Sequence, residues 1–306
     1  MARYVFRKLL MFPLVVLGVS LLVFFLIRLL PGDPARLMAG PEATQEAVDN
    51  MRVRLGLDHT LVTQYLSFLW HALQGDLGVS IKSKLPVTRE IADRFPNTLA
   101  LALVAYVGAT LVGVPSGMIA SAWKGRWPDQ LVMLTAIAGA SVANFWLALM
   151  CMNLFSVELG WLPLQGADSW RSYIMPAFAL GLAPTALIAR MTRSSMVEVL
   201  SQDYVRTARA KGLDDVVVYR KHALRNALIP IVTIIGLNFG SIMGGAVVTE
   251  SLFNWPGMGR MLVDSVSYRD YPMIQASILL AVVCVVAVNF MAELIIAALN
   301  PRIRFE

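Results

Sequence analysis

The chain has 306 residues, 57% of them hydrophobic and 15% charged, well below the roughly 25% charge usual in a soluble domain. That composition excludes an ordinary water-soluble fold and makes the chain an integral membrane protein. Its net charge of +6 is distributed between apolar runs, a pattern that argues against nucleic acid as a partner.

A bilayer core of about 30 Å takes about 20 apolar residues per helix. Six stretches approach that length with no Asp, Glu, Lys or Arg: 9–27, 95–123, 130–157, 172–189, 226–249 and 271–292. The first follows Arg3, Arg7 and Lys8, as a secretory signal would, but it is too long for a signal h-region and no small-x-small cleavage motif follows Arg28. It is predicted to be a retained helix, with residues 1–30 as its domain. Residues 31–94 then carry helix signals. Thr44 precedes Ala47, Val48, Met51 and Leu55 at helical spacing, and Leu61, Tyr65, Leu69, Ala72 and Leu73 repeat the pattern up to a terminating Gly75. Pro86 can open a further turn. This region reads as a helical layer on one face of the membrane, either a packing cap or a docking surface for a soluble partner.

Residues 95–298 hold the remaining spans. Gly113 and Gly117 flank Pro115 in the second. Gly236, Gly240 and Gly244 recur at four-residue steps in the fifth, with Gly245 beside them; such a stripe lets another helix approach closely. Pro184 and Pro230 are positioned to kink or start helices, and Asn144, Asn153, Asn238 and Asn289 can bond across helices or line a pathway. Charge sets the orientation, because short loops rich in Lys and Arg stay in the cytoplasm. The basic segments are the amino end, Lys124 with Arg126, the tail 299–306 with Arg302 and Arg304, and above all the loop 190–225. That loop holds Arg190, Arg193, Arg206, Arg209, Lys211, Arg220, Lys221 and Arg225 against four acids. Both termini are therefore predicted to be cytoplasmic, and 31–94 extracytoplasmic.

Within that loop, YVRTARAKGL (204–213) places Val205 and Ala208 on one helical face and Arg206 and Arg209 on another, with Gly212 ending the helix. A compact helix–turn of this kind can fit a cleft; the other reading is a surface helix held by its cations on anionic headgroups. Enzyme chemistry is not indicated. There is no phosphate-cradling G-x-x-x-x-G-K-[ST], His59, His71 and His222 are scattered, and Cys151 and Cys284 lie within spans. Glu293 is the acid nearest to a span interior, where a proton-coupled carrier would need one. On these features a six-span carrier or channel working without nucleotide stays open beside a nucleotide-driven transporter.

The run 191–230, MTRSSMVEVLSQDYVRTARAKGLDDVVVYRKHALRNALIP, resembles the cytoplasmic loop of membrane subunits of bacterial ABC importers. The nearest group is the peptide/nickel permease family, in its B-type dipeptide-permease branch. In ABC importers the loop carries a Glu-Ala-Ala motif followed three residues later by Gly. Matching Gly212 puts Arg206, Thr207 and Ala208 at the Glu-Ala-Ala positions. Only Ala208 keeps the general consensus, and His222, Leu224 and Arg225 depart from its later part, while R-T-A-R-A-K-G is similar to the peptide branch itself. Further matches are Leu30-Pro-Gly-Asp-Pro34, Gly75-Asp-Leu-Gly-Val-Ser80, Phe253-Asn-Trp-Pro-Gly-Met-Gly-Arg260, Arg269-Asp-Tyr-Pro272 and Asn300-Pro-Arg-Ile-Arg304. The stretches Ser156–Pro163 and Gly166–Trp170 resemble the glutathione-importing members.

The resemblance implies an all-α type I importer permease fold of six helices and half of a translocation pathway for peptides, with glutathione among the candidates. It implies a homologous permease, two ATP-binding subunits and a periplasmic binding protein as partners in the cytoplasmic membrane. ATP would be used by the partner subunits, with no cofactor on this chain. Tyr204, Arg206, Thr207, Ala208, Arg209 and Gly212 would form the coupling helix, with Ala208 against the ATPase. No residue is assigned to substrate or metal.

Overall fold

In the computed structural model, the described residues are 2–28, 33–40, 42–54 and 56–299. They form helices in the order α1 (Ala2–Arg28), α2 (Pro34–Ala39), α3 (Gln45–Arg54), α4 (Leu61–Leu73), α5 (Val87–Ala122), α6 (Trp127–Ser141) and α7 (Asn144–Cys151). There follow α8 (Ile174–Leu200), α9 (Asp203–Ala210), α10 (Asp215–Val217), α11 (Leu224–Leu252), α12 (Met258–Ser267) and α13 (Tyr271–Leu299). Wider π-helical turns continue α7 through Met152–Glu158 and join α10 to α11 through Val218–Ala223. No strand forms among the described residues. Leu30–Gly32 and the tail motif 300–304 lie outside them.

Among the described residues, four helical segments are long and apolar enough to cross a bilayer: Met11–Arg28, Val87–Ala122, Trp170–Leu200 and Tyr271–Met291. Two bent pairs supply the others. Trp127–Ser141 meets Asn144–Glu158 at 98°, and Leu224–Gly240 meets Ile242–Leu252 at 49°. With each pair taken as one span the total is six. The stretch 130–157 is therefore not the straight span its composition suggests. Val142 and Ala143 are both extended, with ψ 128° at each, and two such residues together end one helix before the next begins. The bend in α11 falls at Gly240-Ser241, a pair that weakens helix stiffness.

The chain folds into two compact units. One comprises mainly Leu99–Trp255 and the part of α13 from Val285; the other comprises mainly Val5–Thr98 and Pro256–Cys284. The first is centred on Leu101, Ala105 and Tyr106 of α5, Leu180 of α8, Phe239, Met243 and Ala246 of α11, and the fully buried Trp255. Tyr173 meets Trp255 edge-on at 4.5 Å. Here α5 and α8 touch backbone to backbone. A Cβ at Gly113 would lie 2.9 Å from the Thr185 carbonyl oxygen, one at Gly117 2.5 Å from Thr192 Cβ, and one at Gly181 2.9 Å from the Ala105 carbonyl oxygen. Glycine at these positions permits a crossing that any side chain would block.

The second unit brings together two of the sequence motifs. Buried Asp270, ahead of α13, accepts hydrogen bonds from Ser80 Oγ at 2.5 Å, the Lys82 amide at 3.2 Å and the Met273 amide at 3.3 Å. Gly75–Ser80 and Arg269–Pro272 are thus two halves of one junction. Nearby, Asn97 donates to the Pro256 carbonyl at 2.9 Å, and Thr98 Oγ1 accepts from the Met258 amide at 2.8 Å.

Candidate functional site

The basic loop is built outward from the membrane. α8 does not stop with its apolar run at residue 189 but continues to Leu200, carrying Thr192, Ser195 and Met196 as buried positions. After Ser201 and Gln202 the chain turns into α9. Val205 and Ala208 form its one apolar face and are buried against Val218, with Leu200 packed beside them. A second cluster, Met196, Ala223, Ala227 and Ile231, fastens the end of α8 to the start of α11. α9 is therefore clamped between two transmembrane helices of the same unit.

Its polar groups reinforce the clamp. Asn226 donates through Nδ2 to the Tyr204 hydroxyl at 2.9 Å, and Arg209 Nε donates to Asp215 Oδ1 at 3.1 Å. The Tyr219 hydroxyl bonds Ser121 at the end of α5; burial pushes its pKa above the usual tyrosine value. At the carboxyl end Gly212 takes φ +77°, its amide donating to the Arg209 carbonyl at 2.9 Å and the Leu213 amide to the Ala208 carbonyl at 3.4 Å. That left-handed residue satisfies carbonyls the helix end would otherwise leave open.

Among the six residues expected to couple, Arg206 and Thr207 project outward; Arg206 is 78% exposed, with only a 3.8 Å approach to Asp203. Tyr204 and Arg209 are exposed but tied into the loop. Ala208 corrects the expectation, because it is only 6% exposed and faces Val218 rather than an outside partner. The short apolar face is consumed internally, which leaves Asp203, Arg206, Thr207 and Ala210 as the outward surface, with Tyr204 and Arg209 exposed beside them.

The glycine stripe of the fifth span also divides. A Cβ at Gly240 would lie 2.6 Å from Val285 Cγ1 of α13, whereas one at Gly244 would meet nothing within 4 Å; Gly245 instead approaches Leu180. Gly236 is half-buried. One further brace escaped the sequence reading. Asp129 at the start of α6 accepts from Arg193 Nε and NH2, both at 2.7 Å, and from the Gly125 amide at 2.8 Å. The two residues are far apart in sequence and lie just outside different apolar runs, so no local pattern marks the pair.

Residues 113–305 match the family described as "Binding-protein-dependent transport system inner membrane component", and residues 1–102 match its amino-terminal family. The chain is 50% identical over 306 residues, covering all of both sequences, to the glutathione transport system permease proteins GsiC of Escherichia coli strain K12 and of Salmonella typhimurium strain LT2. Its fold is similar to the inward-facing MetNI methionine ABC transporter, with a TM-score of 0.58 at 18% identity over 69% of this chain and 96% of that one. An amino acid ABC transporter crystallised with histidines gives a TM-score of 0.57 at 14% identity, covering 69% and 94% of the two chains.

Proposed function

We propose a specific cargo and drive on one premise: this chain belongs to the family of inner membrane components of binding-protein-dependent transport systems. As such it is a multi-pass permease subunit of the cytoplasmic membrane. The cargo is a short peptide, with glutathione first among the candidates. The observation that carries this choice is the identity of 50% to glutathione permeases, unbroken over all 306 residues. A relationship confined to the loop would support a transporter of unspecified cargo; one of this length also includes the segments that face the pathway and the binding protein.

The drive is ATP hydrolysis in separate subunits docked on the cytoplasmic loop. Asp203, Arg206, Thr207 and Ala210 offer a polar contact that carries both signs of charge on a short helix. Val205, Ala208 and Tyr204 hold that helix to α8 and α11, so a displacement of α9 is passed to both. α8 carries it onward to α5 through the glycine crossing and to α6 through Arg193 and Asp129. A homologous permease completes the pathway, a periplasmic binding protein delivers the cargo, and this chain binds no cofactor of its own.

The test is uptake of radiolabelled glutathione and of labelled dipeptides into vesicles holding the complete complex, with and without loaded binding protein. Uptake of glutathione that needs both binding protein and ATP is the expected result. Uptake of dipeptides alone would move the cargo assignment, and uptake independent of ATP would remove the drive.

A further inference from the structure

We infer that α4 lies in the extracytoplasmic leaflet of the membrane, its outer face packed against lipid acyl chains and not against water or a soluble protein. The sequence of α4, LVTQYLSFLWHAL, contains no Asp, Glu, Lys or Arg and has no buried residue. Val62, Leu66, Trp70 and Leu73, at steps of four, four and three, fall on one side of the helix. They are 68%, 59%, 64% and 83% exposed. Thr63, Ser67 and His71 lie along one edge of this face, and the half-buried Tyr65 and Phe68 along the inner side. An apolar face flanked by a polar edge is the pattern of a helix lying in a membrane interface.

Depth decides what covers that face. The Tyr65 hydroxyl donates to the Leu17 carbonyl of α1 at 3.1 Å and lies 2.8 Å from Ser20 Oγ. Its ring meets Phe24 at 5.2 Å, and the neighbouring Gln64 accepts from Arg28 NH2 at 2.7 Å. At about 1.5 Å of rise per residue, Phe24 lies roughly 6 Å and Leu17 roughly 16 Å below Arg28 along α1. Because Met11–Arg28 is a transmembrane segment, α4 crosses α1 several ångströms inside the hydrocarbon boundary. The shallow end of that range overlaps the depth of about 5–10 Å at which interfacial helices bury their apolar faces, and the Leu17 contact reaches deeper. Leu21, Phe25 and Leu26 of α1 are exposed as well, and on a membrane-spanning helix they face lipid for the same reason. A soluble partner could not reach this face without displacing lipid.

The experiment places a nitroxide at Leu66→Cys, Trp70→Cys or Ser67→Cys in the full-length chain, with both native cysteines replaced by alanine. The assembled complex is reconstituted in phosphatidylethanolamine/phosphatidylglycerol vesicles. Collision with oxygen and with the water-soluble nickel complex of ethylenediaminediacetate is then measured. The inference expects an oxygen-to-nickel collision ratio severalfold higher at 66 and 70 than at 67 or at a label on Asp58. High nickel accessibility at 66 and 70 would overturn it in favour of water, and low accessibility to both reagents would overturn it in favour of a protein cover. If labels at 66 and 70 prevent assembly, bimane on Leu73→Cys decides the matter: quenching by lipid brominated along its acyl chain supports the placement, and absence of quenching contradicts it.

Discussion

Gly212 is the residue on which the shape of the loop around α9 turns. Its φ of +77° lies in the left-handed region, and a Cβ there would meet nothing within 4 Å, so a substitution is penalised by backbone conformation and not by crowding. A β-branched side chain costs about 1–2 kcal/mol in this region, whereas asparagine visits it more readily. Gly212→Val is therefore expected to open the end of α9, and Gly212→Asn to keep it closed. Limited trypsin digestion of the purified complex reads this directly: cleavage after Lys211 should be several times faster in the valine variant and near the wild-type rate in the asparagine variant. Equal rates in both would show that the turn does not depend on glycine. This role was legible in the sequence, because a glycine closing a short charged helix has few other uses. The orientation of Ala208 was not. Periodicity paired it with Val205 on one face, but only the return of Val218 over that face shows that the pair looks inward.

At the scale of elements, the close crossing of α5 and α8 is the feature that composition ranked below the more regular stripe in α11. Spacing alone cannot say what stands opposite a glycine. Gly117 has the α8 backbone against it, while Gly244 has open space. Alanine should then have opposite effects at the two sites. Gly117→Ala forces a Cβ to 2.5 Å from Thr192 Cβ and is expected to lower the thermal unfolding midpoint of the detergent-purified complex. Gly244→Ala removes the backbone entropy of glycine in a helix and is worth roughly 0.5–1 kcal/mol of stability, provided that no other subunit packs there. A midpoint raised by Gly117→Ala would contradict the crossing. The number of spans followed from apolar length, which acts over whole segments. The 98° bend between α6 and α7 did not, since Ser141-Val142-Ala143 contains neither proline nor glycine. Asp270 shows the same limit: its motif stood out, but the partners Ser80 and Lys82 come from a segment 188–190 positions away.

For the whole molecule, the central claim is that α9 carries the signal between ATP hydrolysis and the membrane helices. Its exposed face can be altered without touching what holds it, because Arg206 and Thr207 project outward while Val205 and Ala208 bear the packing. The double variant Arg206→Glu/Thr207→Trp should therefore insert and assemble with the other permease. It should then block or repel the docked subunit at the surface alone. The deciding measurement is ATP hydrolysis by the reconstituted complex with and without substrate-loaded binding protein, compared between wild type and this variant at equal permease content. A clear stimulation in wild type that falls to the basal rate in the variant is the result expected; wild-type stimulation in the variant would contradict the coupling role of α9.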